Sequence, residues 1–409
     1  MESILVARVR ATLADRPVPP VAPPLSVVAA FALVPDPRRR ASVRYPLAAL
    51  LSLAVAAILA DHTSVLAMAE WGRRQSQALL AELGLPATGA PWQSTLQRLF
   101  RRLDPDAVSA ALSAHFAPSV APDPAARGMQ GVAIDGKAQR GRLQYQVEGS
   151  PVHALAAFAH DRGVVLAQEP IARGADKAEA ELTVAPALLA RIDWRGRVLT
   201  GDALFCQRAL CRQVLAAGGD YLLLAKENQP TLHRDIALLF DPPPGRTPPL
   251  PLRDCRAAST REQGHGRRDE VRHLVASTDL AGYLDWPGAA QVFRVERTWR
   301  ERGQAKRQVR YGLTSLPPAA GSAARLLALK RGHWSIENRL HRPKDVTLGE
   351  DASLIHLDAG PTVVAMLRDA AISLLHRAGC RAITARLRSH AQRPEAAVAL
   401  VCQPPPTRA

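Results

Sequence analysis

The sequence contains few cysteines, and none of them is arranged as a pair that would bind metal or form a disulfide framework. There are five in 409 residues, no two form a CxxC pair, and the number is odd. This pattern argues against both a disulfide-stabilised scaffold and a structural zinc site. The five are Cys206, Cys211, Cys255, Cys380 and Cys402. We therefore expect a protein of the cell interior.

The sequence also lacks an apolar run long enough to cross a membrane. The most apolar stretch, LAALLSLAVAAILA, lies between Pro46 and Asp61. It is shorter than the roughly 20 residues that a membrane-spanning helix needs, so it predicts a buried helix of a globular domain. The chain does not open with the charged and apolar segments of a signal peptide, which agrees with an interior location.

Lysine is scarce, because only six of the 53 basic residues are Lys and the rest are Arg. A preference for Arg codons explains the kind of cation but not the shortage of carboxylates. The 37 acidic residues leave a formal net charge of +16, although the apolar fraction of 47% is that of an ordinary globular protein. Such an excess of positive charge indicates a polyanionic partner, and nucleic acid is the first expectation.

The N-terminal part of the chain has the pattern of a helical domain. Residues 1–30 are rich in Pro and predict an irregular lead-in, and residues 31–120 predict several helices. Candidate N-cap residues of these helices are Ser64, Ser94 and Asp104. One helix carries Arg98, Arg101 and Arg102 on its polar side. This face would suit docking on DNA, and a solvated basic face explains it equally well.

The pattern changes after a linker, and alternating strands and helices follow. Residues 128–230 have a β-β-β-α-β-α-β order, which predicts a mixed sheet flanked by helices on both faces and hence an α/β fold. Residues 231–315 are rich in strand-like runs and interrupt this order, and helices return in residues 316–380. The last part, residues 381–409, has the composition of a basic tail that ends in prolines.

Two aspartates stand at the ends of buried strands, in VAIDGK and in VLTGDALF. Asp135 and Asp202 would be costly there unless positive charge lies on them. If the two strands are neighbours, the carboxylates come together, and a divalent cation would relieve their repulsion. Oxygen ligands suit Mg²⁺ or Mn²⁺, and a pair of such ions carries out phosphoryl transfer. The alternative for either aspartate alone is a turn residue that caps the next segment.

A third carboxylate, Glu337, lies in a segment with helical spacing. Lys330, His333, Glu337 and His341 share one face of that helix, and Lys344 would extend it. A polar face beside apolar neighbours is typical of a helix that covers a site. The alternative is an exposed face on which Glu337 pairs with His341.

These motifs together resemble a known family. VAIDGKAQRG, GDALFCQ, GDYLLLAKENQPTL and RGHWSIENRLH are similar, in this order, to the catalytic region of DDE-class bacterial insertion-sequence transposases. The branch is the ISAs-type one, which includes the H-repeat-associated proteins. The likeness covers roughly residues 30–380.

The resemblance implies a ribonuclease-H-like catalytic core with a β-rich insertion and an all-α N-terminal domain. It implies that Asp135, Asp202 and Glu337 hold two Mg²⁺ or Mn²⁺ ions and catalyse cleavage of DNA at the element ends and strand transfer into target DNA. The implied partners are the terminal inverted repeats, the target DNA and a second copy of the chain, in a bacterial cytoplasm and associated with the nucleoid. A DNA-binding relative without activity and a nuclease that does not join strands remain the alternatives.

Further residues of these motifs are candidates for contact with DNA, each with a solvated or ion-paired side chain as the alternative. They are Lys137, Lys226, Asn228, Gln229, His265, Arg267, Arg268, Arg331, His333, Trp334, Asn338, Arg339, His341 and Lys344. Pro343 predicts that the helix of Glu337 kinks or ends near His341 or Arg342, which leaves the direction of Lys344 open. A second acidic group could support the metal or cap a helix. It consists of Asp345, Glu350 and Asp351.

Overall fold

The computed structural model describes residues 26–117, 129–139, 152–171, 177–243, 253–264 and 267–404. Its α-helices are α1 Val27–Phe31, α2 Leu47–Leu59, α3 Val65–Arg73, α4 Gln77–Glu82, α5 Gln93–Arg102, α6 Pro105–Phe116, α7 Lys177–Ala190, α8 Arg208–Ala216, α9 Pro230–Phe240, α10 Ala323–Gly332, α11 Gly360–Arg377, α12 Ile383–Gln392 and α13 Pro394–Cys402. Its strands are β1 Gln130–Gln139, β2 Val152–Ala159, β3 Val164–Ile171, β4 Arg197–Gly201, β5 Asp220–Ala225, β6 Arg256–Gly264, β7 Arg267–Ser277, β8 Gln291–Glu301 and β9 Gln304–Thr314.

Helix α2 is the centre of the helical N-terminal region. Every residue of α2 except Ala48 is buried, which confirms the prediction of a core helix. Pro46 stands at its N-cap, where the absence of an N–H group costs no helical hydrogen bond. Helices α1, α3, α11 and α13 pack around α2. The apolar run is thus covered by helices from both ends of the chain, and no described helix is long and apolar enough to span a membrane.

The basic face of α5 is exposed, and part of its charge is already used within the chain. Arg101 forms an ion pair of 2.7 Å with Asp358, and Arg102 donates a hydrogen bond of 2.9 Å to the carbonyl oxygen of Pro37. Helix α5 begins at Gln93 and has Trp92 as its N-cap, so the prediction of a start at Ser94 was wrong by one residue. No side-chain bond caps this end, which is why cap chemistry did not reveal it.

One nine-stranded sheet runs through the rest of the molecule in the order β3-β2-β1-β4-β5-β9-β8-β7-β6. The first three strands pair in antiparallel fashion, and β1, β4 and β5 are parallel to each other. This is the arrangement of a ribonuclease-H-like core, and the predicted α/β class is confirmed. Helices α7 and α11 pack on β2 and β3, while α8 packs on β5.

The strand-rich interruption continues the core sheet. Strand β9 pairs in antiparallel fashion with β5, and β8, β7 and β6 follow as three more antiparallel neighbours. Three of the strand-like runs that we expected in residues 231–315 correspond to β7, β8 and β9, namely RDEVRHLVAST, AAQVFRVERTWRE and RQVRYGLTSL, but no predicted run corresponds to β6. Strand β6 has mainly polar and small side chains in an alternating exposed pattern, which gives no apolar alternation to detect.

The end of the chain is more ordered than its composition indicated. Within residues 381–409, for which we expected only a basic tail, the described part forms α12 and α13. Ala397, Val398 and Val401 of α13 are buried and pack on the N-terminal helices. At the other end, residues 1–25 of the expected Pro-rich lead-in lie outside the described residues, and α1 begins at Val27.

A π-helical segment follows α10 and carries Glu337. Its two parts are Glu337–His341 and Pro343–Thr347. Of the two predicted outcomes near His341 or Arg342, a kink or an end of the helix, the end was wrong, because helical structure continues to Thr347. Pro343 has no N–H group to offer to the carbonyl oxygen of Arg339, four residues earlier. His376 of α11 donates from its Nε2 to that oxygen at 3.0 Å instead. The wider π turns and this substitute donor let the segment continue past the proline.

Candidate metal centre

The strands of Asp135 and Asp202 are parallel neighbours, which is the condition that the sequence argument set. Asp202 directly follows β4, but Asp135 lies inside β1, which continues to Gln139, so the expectation that Asp135 ends its strand was wrong. Strand β1 pairs with β4 such that Ala133 lies opposite Thr200. Continuing that register by two residues places Asp135 opposite Asp202, about 4.8 Å apart in the backbone. Both aspartates therefore lie just beyond the point where the pairing of β1 with β4 ends, in the interior of the sheet.

Glu337 and His341 of the π-helical segment approach Asp135 at this place. The Nδ1 atom of His341 lies 3.5 Å from Oδ2 of Asp135 and 3.3 Å from Oε2 of Glu337. One potential ligand atom from each of the three side chains lies within 4.8 Å of those of the other two. The structure thus brings together residues that are separated by about two hundred positions in the sequence.

The charges of this cluster support each other. Burial by itself would raise the pKa of Asp135, but the hydrogen bond and charge of His341 outweigh it and lower that pKa. The hydrogen bond from His341 likewise lowers the pKa of Glu337, although burial opposes it. Burial would lower the pKa of His341, and its two carboxylate partners raise it instead. Both carboxyl groups are therefore ionised at neutral pH, and the imidazole lies between them.

Asp202 is held apart from this cluster by a local hydrogen bond. Its carboxylate accepts from the backbone N–H of Leu204 at 2.9 Å and caps the short 3₁₀ turn Ala203–Phe205. The side chain is exposed, so no packing prevents it from turning toward Asp135. Asp202 therefore combines the turn-capping role that we considered with a position suited to ligation.

Asn228 and Gln229, which we considered as DNA contacts, brace the turn of Asp202. Asn228 donates from Nδ2 to the carbonyl oxygen of Ala203 at 2.6 Å. Gln229 donates from Nε2 to the carbonyl oxygen of Cys206 at 3.1 Å. The loop after β5 is thereby attached to the loop after β4, which fixes the backbone around Asp202.

Two histidines fill the space behind the carboxylates. His333 lies close to Asp135 and Asp202, and burial lowers the pKa of its imidazole despite their charges. His160, at the end of β2, places its Nε2 2.9 Å from Oγ1 of Thr200, and burial lowers its pKa to about 3. His160 is therefore neutral. The sequence argument missed it, since its only signal is that Gly131 and Gly332 have no side chains where its ring lies.

The ring of His160 occupies space that two glycines leave open. A Cβ atom on Gly131 of β1 or on Gly332 of α10 would collide with the imidazole. This close approach seats the C-terminal end of α10 directly on the sheet. The position of Glu337, five residues further along the chain, depends on that seating.

Several other candidates for DNA contact are engaged within the protein. Arg331 forms an ion pair with Glu262, and Arg339 donates to the carbonyl oxygen of His160 at 2.7 Å. Lys344 is 3% exposed, so its assignment as a DNA contact is not compatible with the structure. Lys137 forms an ion pair of 2.5 Å with Asp345 and does not project outward.

Lys330 also departs from the polar face predicted for its helix. It lies against the extended part of the sheet, near Arg272, Arg297 and Arg310, where burial and these charges lower its pKa to about 8. The helix is interrupted between α10 and the π-helical segment, so the regular spacing that placed Lys330 beside Glu337 does not continue.

The remaining candidates are exposed or not described. Lys226, Trp334 and Asn338 have exposed side chains, with Trp334 at 58%. His265 lies outside the described residues. The backbones of Arg267 and Arg268 belong to β7, and their side chains are not described.

The donor set of the cluster fits a divalent cation. Two carboxylates and an imidazole with their ligand atoms within 4.8 Å of one another match the ligands of Mn²⁺, and carboxylate oxygens match those of Mg²⁺. A third carboxylate, Asp202, lies on the adjacent strand. The arrangement can hold a cation at a solvent-accessible position beside Asp202 and Glu337, where the oxygens of a phosphate group can complete its coordination.

Comparison with known proteins places these observations in a family context. Residues 126–373 match the family described as Transposase DDE domain, and residues 28–116 match the family described as DDE_Tnp_1-associated. The first match spans β1 to α11 and includes Asp135, Asp202 and Glu337.

Individual relatives agree with the family match. An uncharacterized protein from the dhlA 3′ region of Xanthobacter autotrophicus is 33% identical over 70% of this chain and 92% of its own length. YncI of Escherichia coli O157:H7, which carries a transposase name, is 27% identical over 84% of this chain and 86% of its own. The H repeat-associated YhhI of Escherichia coli K12, also named as a transposase, is 25% identical over 84% and 89%.

Proposed function

This chain belongs to the transposase DDE domain family and is a DNA transposase of the insertion-sequence type, and we propose that Asp135, Asp202 and Glu337 are its catalytic residues. The observation that carries the proposal is the convergence of Asp135, Glu337 and His341 over the middle of β1, beside the turn of Asp202. Enzymes of this family act on DNA and generally use divalent metal ions.

The three carboxylates are the residues that would hold the metal, which we propose to be two Mg²⁺ or Mn²⁺ ions. When bound, such ions lower the pKa of an attacking hydroxyl and stabilise the negative charge of the leaving oxygen. Asp135 and Glu337 supply two ionised ligands in advance, because His341 lies between them and keeps both charges in place. Asp202 would release the N–H group of Leu204 and turn toward Asp135.

The proposed reaction consists of two in-line displacements on phosphorus. In the first, the oxygen of a water molecule attacks the phosphodiester at the element end, and the bond to the 3′ oxygen breaks to leave a free 3′-OH. In the second, that 3′-OH attacks a phosphodiester of the target and displaces its 3′ oxygen. Neither step needs a covalent enzyme intermediate, so the protein contributes ligands, orientation and positive charge.

The proposed nucleic-acid surface surrounds the metal centre. Lys226, Trp334, Asn338 and Arg342 are exposed on the segments that border it. The net charge of +16 favours binding to the phosphate backbone and makes affinity sensitive to salt. We further propose that two copies bring together the two ends of one element, with the terminal inverted repeats and the target as the DNA substrates.

A strand-transfer assay tests this function. The purified chain is incubated with labelled element-end DNA, a supercoiled target plasmid and Mg²⁺, with EDTA as a parallel reaction. We expect joined products that are lost with EDTA and with Asp202→Ala. Asp285→Asn is the matched control, because Asp285 is a 95% exposed carboxylate that pairs with Arg208 on the surface.

The other outcomes of this assay point to the rival functions. Cleavage without joined products would indicate a nuclease of the same fold. Binding of the end DNA with neither cleavage nor joining would indicate a DNA-binding relative that has lost activity.

A further inference from the structure

Six ionisable side chains, three basic and three acidic, lie together beneath the metal centre. They come from β1, the π-helical segment, the 3₁₀ turn Glu350–Ala352 and α11. The cations are Lys137, Lys344 and Arg368, and the anions are Asp345, Glu350 and Asp369. We call this group the charge network.

Each cation of the charge network contacts at least one anion. The Nζ atom of Lys137 lies 2.5 Å from Oδ1 of Asp345 and 4.0 Å from Oε2 of Glu350. The Nζ atom of Lys344 lies 2.9 Å from Oδ1 of Asp369 and 3.3 Å from Oε1 of Glu350. Arg368 lies 3.7 Å from the same carboxylate of Glu350. The three anions are therefore neutralised by the protein itself.

The pair of Lys137 and Asp345 connects the two elements that carry the metal ligands. Lys137 follows Asp135 by two positions on β1, so the two side chains point to the same face of the strand. Asp345 follows His341 by four positions in the π-helical segment. The ion pair of Lys137 with Asp345 therefore connects the strand of Asp135 to the segment that carries Glu337 and His341.

The rest of the charge network anchors this connection to the core. Lys344 and Asp369 attach the π-helical segment to α11, and Gln168 of β3 donates to Asp369 at 2.5 Å. Gln139, at the end of β1, donates to the carbonyl oxygen of Glu350 at 3.1 Å. The π-helical segment is therefore fixed to β1 at one side and to α11 at the other.

Two other roles for these residues agree less well with the contacts. The side chain of Lys137 is 11% exposed, which leaves little of it for a phosphate group of DNA. A second metal site is disfavoured because Glu350 already faces three cations, whose charges would repel a divalent ion.

We propose that Lys137 and Asp345 are positioning residues, which hold Glu337 and His341 at ligating distance from Asp135 before metal binds. The proposal rests on the proposed metal centre and deepens it. Residues that orient metal ligands typically affect metal affinity about 10- to 100-fold when they are changed. The same change leaves the DNA surface intact, which separates positioning from a DNA contact.

The test uses Lys137→Met in the full chain, with Mn²⁺ binding measured by electron paramagnetic resonance in the absence of DNA. We expect Mn²⁺ to bind about 10- to 100-fold more weakly. The Mg²⁺ concentration that gives half-maximal cleavage should rise by a similar factor. The dissociation constant for end DNA, and its dependence on salt, should stay as in the wild type. Lys306→Met is the matched control, because Lys306 is an exposed lysine near the start of β9 that pairs with Glu301.

Other outcomes overturn the proposal in distinguishable ways. Wild-type Mn²⁺ affinity in folded Lys137→Met would refute the positioning role, and a loss of DNA affinity with a smaller salt dependence would make Lys137 a DNA contact. If circular dichroism shows that Lys137→Met does not fold, the milder Asp345→Asn carries the same expectations. Asp135→Ala is measured in parallel. If it too leaves Mn²⁺ binding unchanged, the metal centre itself is refuted, and the positioning role with it.

Discussion

The imidazole of His376 donates a hydrogen bond of 3.0 Å to the carbonyl oxygen of Arg339. That oxygen is the one that an α-helix would have paired with the missing N–H group of Pro343. A side chain from α11 thus completes the backbone hydrogen bonding of the segment that carries Glu337. The relationship explains how a proline is tolerated six residues after a proposed catalytic residue.

We expect His376→Ala to lower the free energy of unfolding by about 1–3 kcal/mol, since it leaves a partly buried carbonyl oxygen without its donor. Chemical denaturation monitored by circular dichroism measures this. His376→Gln, which keeps an N–H donor, should recover part of the loss. Equal stability of His376→Ala and the wild type would mean that water replaces the imidazole at no cost.

A second prediction concerns the partly buried cation Lys330. Its pKa in the folded protein is about 8, below the ordinary value of 10.5, because burial and nearby arginines disfavour its charge. The unfolded chain therefore binds this proton more tightly, and the charge lowers stability fully below pH 8. This cost disappears as the pH rises from about 8 to 10.5.

We therefore expect Lys330→Met to be more stable than the wild type at pH 7, and the difference to shrink as the pH approaches 10.5. Urea denaturation of both proteins across this range measures it. Lys306→Met, at an exposed lysine, should show no such trend. A difference that grows with pH would contradict the account of Lys330.

A third prediction concerns Asn228, which supports the turn of Asp202 through the carbonyl oxygen of Ala203. Asn228→Ala removes this support, and small misplacement of a catalytic group can cost up to about 100-fold in rate. We expect the single-turnover cleavage rate to fall about 10- to 100-fold at saturating DNA and Mg²⁺.

The same variant distinguishes support from direct recognition. If Asn228 contacted DNA instead, Asn228→Ala would weaken end binding in a fluorescence anisotropy titration while cleavage at saturating DNA stayed near the wild-type rate. Lys226→Ala, two residues earlier on the exposed part of the same loop, provides the comparison for a side chain that we propose to face phosphate.

A fourth prediction concerns the contact between Gly332 and His160. A Cβ atom at position 332 would collide with the imidazole, so we expect Gly332→Ala to destabilise the protein by about 1–3 kcal/mol. His160→Ala empties that space but loses the contact with Thr200. The destabilisation of the double variant should be smaller than the sum of the two single destabilisations, because the residues touch. Strict additivity in thermal unfolding would show that the two positions do not interact.

The sequence was sufficient to predict the parts of the fold that follow from local chemistry. Ser64 and Asp104 cap their helices as expected, because each offers an oxygen to an N–H group of the first turn. The sequence argument for Asp135 and Asp202 depended on their strands being neighbours, and the parallel pairing of β1 with β4 meets this condition.

Features that depend on tertiary contacts were not predictable in this way. The π-helical segment relies on His376, which is distant in the sequence from Pro343. The burial of Lys344 depends on Glu350 and Asp369, so a helical face drawn from spacing alone placed it wrongly. Strand β6 is held by its pairing with β7 and by no apolar pattern of its own.

The candidate site was predicted in its carboxylates and missed in their surroundings. Asp135 and Glu337 do lie together, but His341, which lies between them, was considered as a DNA contact or as a partner of Glu337 and not as a neighbour of Asp135. Asp345 and Glu350, whose role the sequence left open, pair with Lys137 and Lys344. These ion pairs join residues from three separate elements, and no spacing rule along the chain encodes them.

The most direct test of the central claim is an anomalous difference map from crystals of the protein soaked in Mn²⁺. We expect a peak at coordination distance, about 2.1 Å, from the carboxylate oxygens of Asp135 and Glu337, with Asp202 turned toward it. No peak beside Asp135 and Glu337, or a peak bound only by other residues, would contradict the assignment of these carboxylates as the metal centre.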